Sequence, residues 1–177
     1  MSATADFQAI ITPWNAFYAA VAGVSATFLG LLFVALALRP KMMSQQGPTG
    51  LRLWAGQTFH SFFVVLIVAL FALIPSGSAQ TLVVALVIVG AQGVHRVLTD
   101  ARNSRADPNP QWSSARSMLR FGTPLAAYVV VLWVAQALWR GDLGAVDWLV
   151  AAVFCLLLSA GGNCWDLLRE AGAETLA

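Results

Sequence analysis

LWAGQTFHSFFVVLIVALFALIPSGSAQTLVVALVIVGAQGVH, residues 53–95, runs for 43 residues without a Lys, Arg, Asp or Glu. One helix crosses the hydrocarbon core of a bilayer with about 20 apolar residues. The stretch is therefore too long for a single crossing and long enough for two. Pro75-Ser-Gly-Ser78 in its middle is a turn signal, so the reading is a hairpin of two membrane helices, Leu53–Ile74 and Gln80–Leu98. Barrel strands span about 10 residues and alternate polar with apolar side chains; Phe62-Phe-Val-Val-Leu-Ile-Val-Ala-Leu70 does not alternate, which excludes a barrel.

The rest of the chain follows the same pattern. Charge-free runs of 32, 19 and 18 residues lie between Asp6 and Arg39, from Phe121 to Trp139 and from Trp148 to Trp165. The 177-residue chain is 59% hydrophobic and 10% charged, against about 25% charge in a soluble domain. An ordinary soluble fold and a disordered tail are both excluded. The expectation is an all-α, polytopic bundle of five spans in one domain (1–177), with helices over 14–38, 53–74, 80–98, 119–139 and 146–167 and a connecting loop over 99–118.

Nine of the ten Lys and Arg fall on one side of these spans: Arg39, Lys41, Arg52, Arg96, Arg102, Arg105, Arg116, Arg120 and Arg169, with Arg140 alone on the other. Positive charge stays on the cytoplasmic side, which predicts an outside N-terminus and a cytoplasmic C-terminus. Trp14, Tyr18, Trp139 and Trp148 then form an outer aromatic belt, and Trp54, Trp112 and Trp165 an inner one. Ala35-Leu36-Ala37 resembles a signal-peptidase site, but no positive segment precedes it and the apolar run exceeds the length of a cleavable signal. A retained first helix is expected. Cys155 and Cys164, nine residues apart in one helix, lie about 13 Å apart along its axis and cannot bridge. The arginines are explained by topology, and no nucleic-acid partner is expected.

The first helix carries a stripe of small and hydroxyl residues, Gly23, Ser25, Thr27 and Gly30. Small side chains let helix backbones approach closely in lipid. The stripe reads either as the packing face of a central helix or as the lining of a narrow path between subunits. Trp14-x-x-Phe17-Tyr18, the small-residue run and Gly30-Leu-Leu-Phe-Val-Ala35 together resemble the opening helix of small uncharacterised bacterial inner-membrane proteins. The resemblance covers about 25 residues and implies a bacterial multi-pass membrane protein with no established activity.

Polar residues gather near the cytoplasmic ends of the spans: Gln57 and His60 on the second helix, Gln92, His95 and Arg96 on the third, Arg120 opening the fourth and Asn163 on the fifth. Polar groups in lipid turn inward, so these predict a cytoplasm-facing vestibule. His60 and His95 sit at similar depth, the arrangement that a bis-histidine haem b would need. There is no paired intramembrane carboxylate, zinc motif, nucleophile elbow or phosphate loop, so neither an enzyme nor a required cofactor is expected. Three functions fit: a homo-oligomeric ion or small-solute channel, foremost because the polar residues converge on one side; a non-catalytic accessory subunit acting through helix contacts with a heteromeric membrane partner; and a haem-linked redox protein. Membrane lipids surround any of them.

Overall fold

A computed structural model describes residues 3–38, 49–75, 77–105 and 114–173. The described residues are all-helical, and five of their helical segments are long and apolar enough to cross a membrane. In chain order the helices are α1 (Ala3–Ile11), α2 (Asn15–Ala37), α3 (Thr49–Ala72), α4 (Ala79–Arg105), α5 (Ser114–Trp139) and α6 (Val146–Ala173). Short 3-10 turns, Thr12–Trp14 and Leu143–Ala145, join α1 to α2 and introduce α6. Arg39, Lys41, Trp112 and the turn-rich connector around Pro108 and Pro110 lie outside the described residues.

The turn expected at Pro75 joins α3 to α4. Gly77 N–H donates to the Ile74 carbonyl at 3.0 Å, and the Ser78 hydroxyl accepts from the Thr81 N–H at 3.3 Å, capping the start of α4. At the end of α5, Gly141 adopts φ +87° and Asp142 N–H reaches back to the Ala137 carbonyl at 3.0 Å. This left-handed closure favours glycine because it carries no Cβ. Asp142 then accepts from Gly144 N–H at 3.2 Å to start the next 3-10 turn.

Several helix ends lie beyond those expected: α3 begins at Thr49, α5 begins at Ser114 inside the expected 99–118 loop, and α6 runs on to Ala173. Two further differences bear on the packing. The third span continues through Thr99–Arg105, where the sequence predicts loop, because its polar end is held as helix: the Thr99 hydroxyl donates to the His95 carbonyl at 2.8 Å, and Arg96 faces Asp100 one turn on. The first span has a helix ahead of it. Phe7 and Ile11 of α1 are buried in the core, and Gln8 Nε2 donates to the Gly77 carbonyl at 2.7 Å, so α1 is tied to the α3–α4 turn.

Helices α3, α4, α5 and α6 form a closed ring in which each packs on the next and α6 returns to α3. Val64, Val65, Val68, Leu82, Leu86, Val131, Val134 and Leu149 fill the interior. Helix α2 stands outside this ring against α3, with the Phe28 and Phe62 rings stacked at 5.1 Å and Phe17 reaching Phe154 of α6 at 5.5 Å. Only 22% of its apolar stretch is buried, against 56% for α3. The first span is therefore peripheral, contrary to the central packing expected. Tyr18 also leaves the expected outer belt, since it is fully buried.

The close helix approach occurs instead between α4 and α5. A Cβ at Gly90 would meet Leu132 Cδ2 at 2.8 Å, and a Cβ at Gly93 would run into the ring of buried Tyr128. In lipid, where tails are as apolar as side chains, such contact is what holds helices together. Gly93→Ala should lower the thermal midpoint in detergent, costing about 1–3 kcal/mol by overpacking. Gly161→Ala, in open space, should leave it unchanged or slightly higher; the opposite order in paired melts would contradict this packing.

Candidate polar site in the bundle

The polar residues cluster toward the end of the bundle that carries Arg96 and Arg102, and three helices contribute. From α3 come His60, half-buried, and Ser61, buried. From α4 comes Arg96, whose Nη2 lies where a side chain at Gly56 would begin, 2.8 Å from an ideal Cβ. From α5 comes Tyr128, 1% exposed, whose ring centroid is 6.0 Å from that of His60. Two glycines therefore build the cluster. Gly56 leaves α3 open for the guanidinium, and Gly93 leaves α4 open for the Tyr128 ring.

Arg96 Nε stands 4.0 Å from Asp100 Oδ2, at the outer limit of an ion pair, and its side chain is 45% exposed. Exposure and distance make this pair a weak contributor to stability. Its guanidinium keeps most of its donor capacity, since five N–H groups exceed what one distant carboxylate accepts. The Tyr128 hydroxyl and His60 Nε2 are buried with no hydrogen-bond partner among the described residues, and Ser61 is a polar neighbour of that hydroxyl. Thr58 Oγ1 and Asn163 Nδ2 are likewise buried and unpartnered, on α3 and α6. Unsatisfied buried polar groups cost about 1–3 kcal/mol each. Such groups call for a partner such as a bound water or ion.

Of the vestibule residues expected, Gln57, His60, Arg96 and Asn163 occupy or flank this interior, with Gln57 and Asn163 buried on α3 and α6. Arg120 lies in α5, and its side chain is outside the described residues. Gln92 and His95 do not join them. Both are exposed, and His95 lies about 200° around α4 from Gly93 at 100° per residue. The inward face of this helix is occupied by Gly93, Val97 and the residues one turn on either side, which turns His95 outward. His60 and His95 therefore do not converge within one chain, and a bis-histidine haem does not fit these residues. Among the described residues no group of three or more His, Cys, Asp or Glu is arranged to hold a metal ion.

The stripe on α2 is also divided. Ser25 is fully buried with Tyr18, Val21 and Leu32. Thr27, about 200° further round, is exposed with Gly23 and Gly30 and spends its hydroxyl on the Gly23 carbonyl at 2.8 Å. A Cβ at Gly23 or Gly30 would meet nothing within 4 Å. These residues form no common lining: Ser25 belongs to the bundle, and the other three form an open outward face.

Sequence reasoning places Ser61 beside His60 and Gln57 but misses Tyr128, Gly56 and Gly93 as members of one site. The available signal was the i,i+3 spacing of Gly90 and Gly93, which places both on one face of α4, with Arg96 a further 60° round from Gly93. Comparison with known proteins finds no matching family, no matching curated protein and no matching solved structure.

Two outcomes follow from this geometry. Tyr128→Phe should be neutral or stabilising, by up to about 1–3 kcal/mol, because it removes a buried hydroxyl without a partner; a clear loss of stability in detergent melts would show that the hydroxyl is bonded. Purified protein should show no Soret band, and a band abolished by His95→Ala would overturn the placement of the two imidazoles.

Proposed function

We propose that the protein is a small, non-enzymatic multi-pass membrane protein that passes an ion or small polar solute, with Arg96, His60, Ser61 and Tyr128 as its polar contact set. The observation that carries this reading is the gathering of these side chains from three helices inside the spans, in space left by Gly56 and Gly93. Ionisable residues at membrane depth are costly and mark substrate or ion pathways. With a guanidinium as the strongest charge of the set, an anion is the favoured solute. The excess of Lys and Arg at this end supports a cytoplasmic placement of the site and C-terminus and an outside N-terminus, and the first-helix resemblance supports a bacterial inner membrane.

The apolar half of the α3–α6 ring is filled with Val and Leu side chains. Passage in this reading runs from the polar set to a boundary between copies, in a homo-oligomer assembled through the open face of α2. Small residues on that face suit close contact in lipid.

A second reading, an accessory subunit, is favoured by that same open face, because Gly23 and Gly30 suit a helix of a different membrane protein equally well. Flux from proteoliposomes separates the two. The channel reading expects chloride efflux above empty liposomes, reduced at least tenfold by Arg96→Met while melting is retained, and a Gly23→Leu variant that falls apart to monomers. No flux from the wild type, with a stable heteromeric complex lost in Gly23→Leu, would establish the accessory role instead.

A further inference from the structure

At the end of the bundle that carries α1, two cavities meet. One, of about 630 Å³, has a mixed wall: Thr4 and Asp6 of α1 and Ser78 and Gln80 at the start of α4 are its polar part, and Val83, Leu138, Trp139 and Leu143 its apolar part. The other, of about 600 Å³, is an apolar groove between α4 and α5 lined by Val84, Val87, Ile88, Val129, Leu132 and Trp133. Val83 and Trp139 line both, so the chamber and the groove adjoin across these two side chains. A partly polar chamber beside an apolar groove between helices matches the division of an amphiphile into head and tail. Each volume is within the range of about 300–1,000 Å³ typical of ligand pockets.

The charges define which amphiphile. Among the described residues this end carries Asp6, Asp142 and Asp147 against Arg140 alone. Asp142 is engaged with the Gly144 N–H. Asp6 is half-buried in the chamber wall and has no ion-pair partner among the described residues. Trp139, exposed and lining the same chamber, offers an indole face that attracts cations. Arg140 is exposed and falls between two residues of the chamber wall, Trp139 and Gly141.

We infer that chamber and groove together bind one phospholipid with an ammonium headgroup. The ammonium group sits against Asp6 and Trp139, the phosphate is held toward Arg140, and an acyl chain lies along Val87, Ile88 and Leu132. The site is independent of the polar set near Arg96 and does not rest on the transport reading. An anionic headgroup without the ammonium would meet Asp6 unpaired, and this gives the site its selectivity.

Native mass spectrometry tests it on the full chain in dodecyl maltoside micelles supplied with equimolar phosphatidylethanolamine and phosphatidylglycerol of the same acyl chains. The wild type should retain phosphatidylethanolamine at least fivefold over phosphatidylglycerol. Asp6→Asn should bring the ratio to about one, Asp6→Lys should turn it toward phosphatidylglycerol, and Ile88→Trp, which fills the groove at an exposed position, should lower total retained lipid severalfold. Free ethanolamine at millimolar concentration should not displace the bound lipid. Equal retention of both lipids by the wild type, or an unchanged preference in a folded Asp6→Asn variant, would overturn the site. Displacement by ethanolamine as effective as by lysophosphatidylethanolamine would assign the chamber to a free amine and overturn the lipid reading.

Discussion

Close backbone approach between α4 and α5 is the constraint on which the arrangement rests. Hydrocarbon tails solvate a valine as well as another valine does, so burying apolar surface does not drive membrane helices together. What remains is dispersion between well-fitted surfaces, and it falls off within an ångström of ideal contact. Gly90 and Gly93 remove the Cβ atoms that would hold α5 away, and Leu132 and the Tyr128 ring occupy the space. That contact sets the rotation of α4, which in turn directs Arg96 toward α3 and leaves His95 on the side away from Gly93. The polar set is thus a consequence of apolar packing.

Much of the architecture was legible. The number of spans, the hairpin turn at Pro75 and the break at Arg140–Asp142 follow from run lengths and from residues with restricted or permissive backbones, and these signals are local. The rotation of each helix was not legible in the same way. An apolar helix in lipid has no polar face to turn to water, so its sequence does not distinguish lipid-facing from protein-facing sides by hydrophobicity. Small-residue stripes occur on both the first and third spans. The stripe at Gly23, Thr27 and Gly30 drew attention, yet inside one chain the stripe at Gly90 and Gly93 does the packing. The two histidines illustrate the same difficulty, because equal depth says nothing about direction. Helix α1 was missed for another reason: nine residues with Asp6 and Gln8 do not look like a span, and only the i,i+4 spacing of Phe7 and Ile11 indicated a face that docks.

The chain separates its polar tasks by location. One end concentrates arginines and gathers hydroxyl and imidazole groups inside the ring. The other carries mostly acids at its surface and leaves a chamber between α1 and the helix ends. Between them, within one chain, lies a tightly filled apolar layer. Helix α2, packed on α3 by aromatic stacking yet open on its far side, is the element best placed to move without disturbing that layer.

The bond from Gln8 to the Gly77 carbonyl has a consequence for biogenesis. The chain emerges from the ribosome N-terminus first, so α1 exists long before the hairpin turn that holds it has been synthesised. Phe7 and Ile11 must therefore wait at the membrane surface until the third span has inserted. Completion of the hairpin supplies the Gly77 carbonyl that Gln8 bonds, and the residues after α5 that complete the chamber around Thr4 and Asp6 arrive later still.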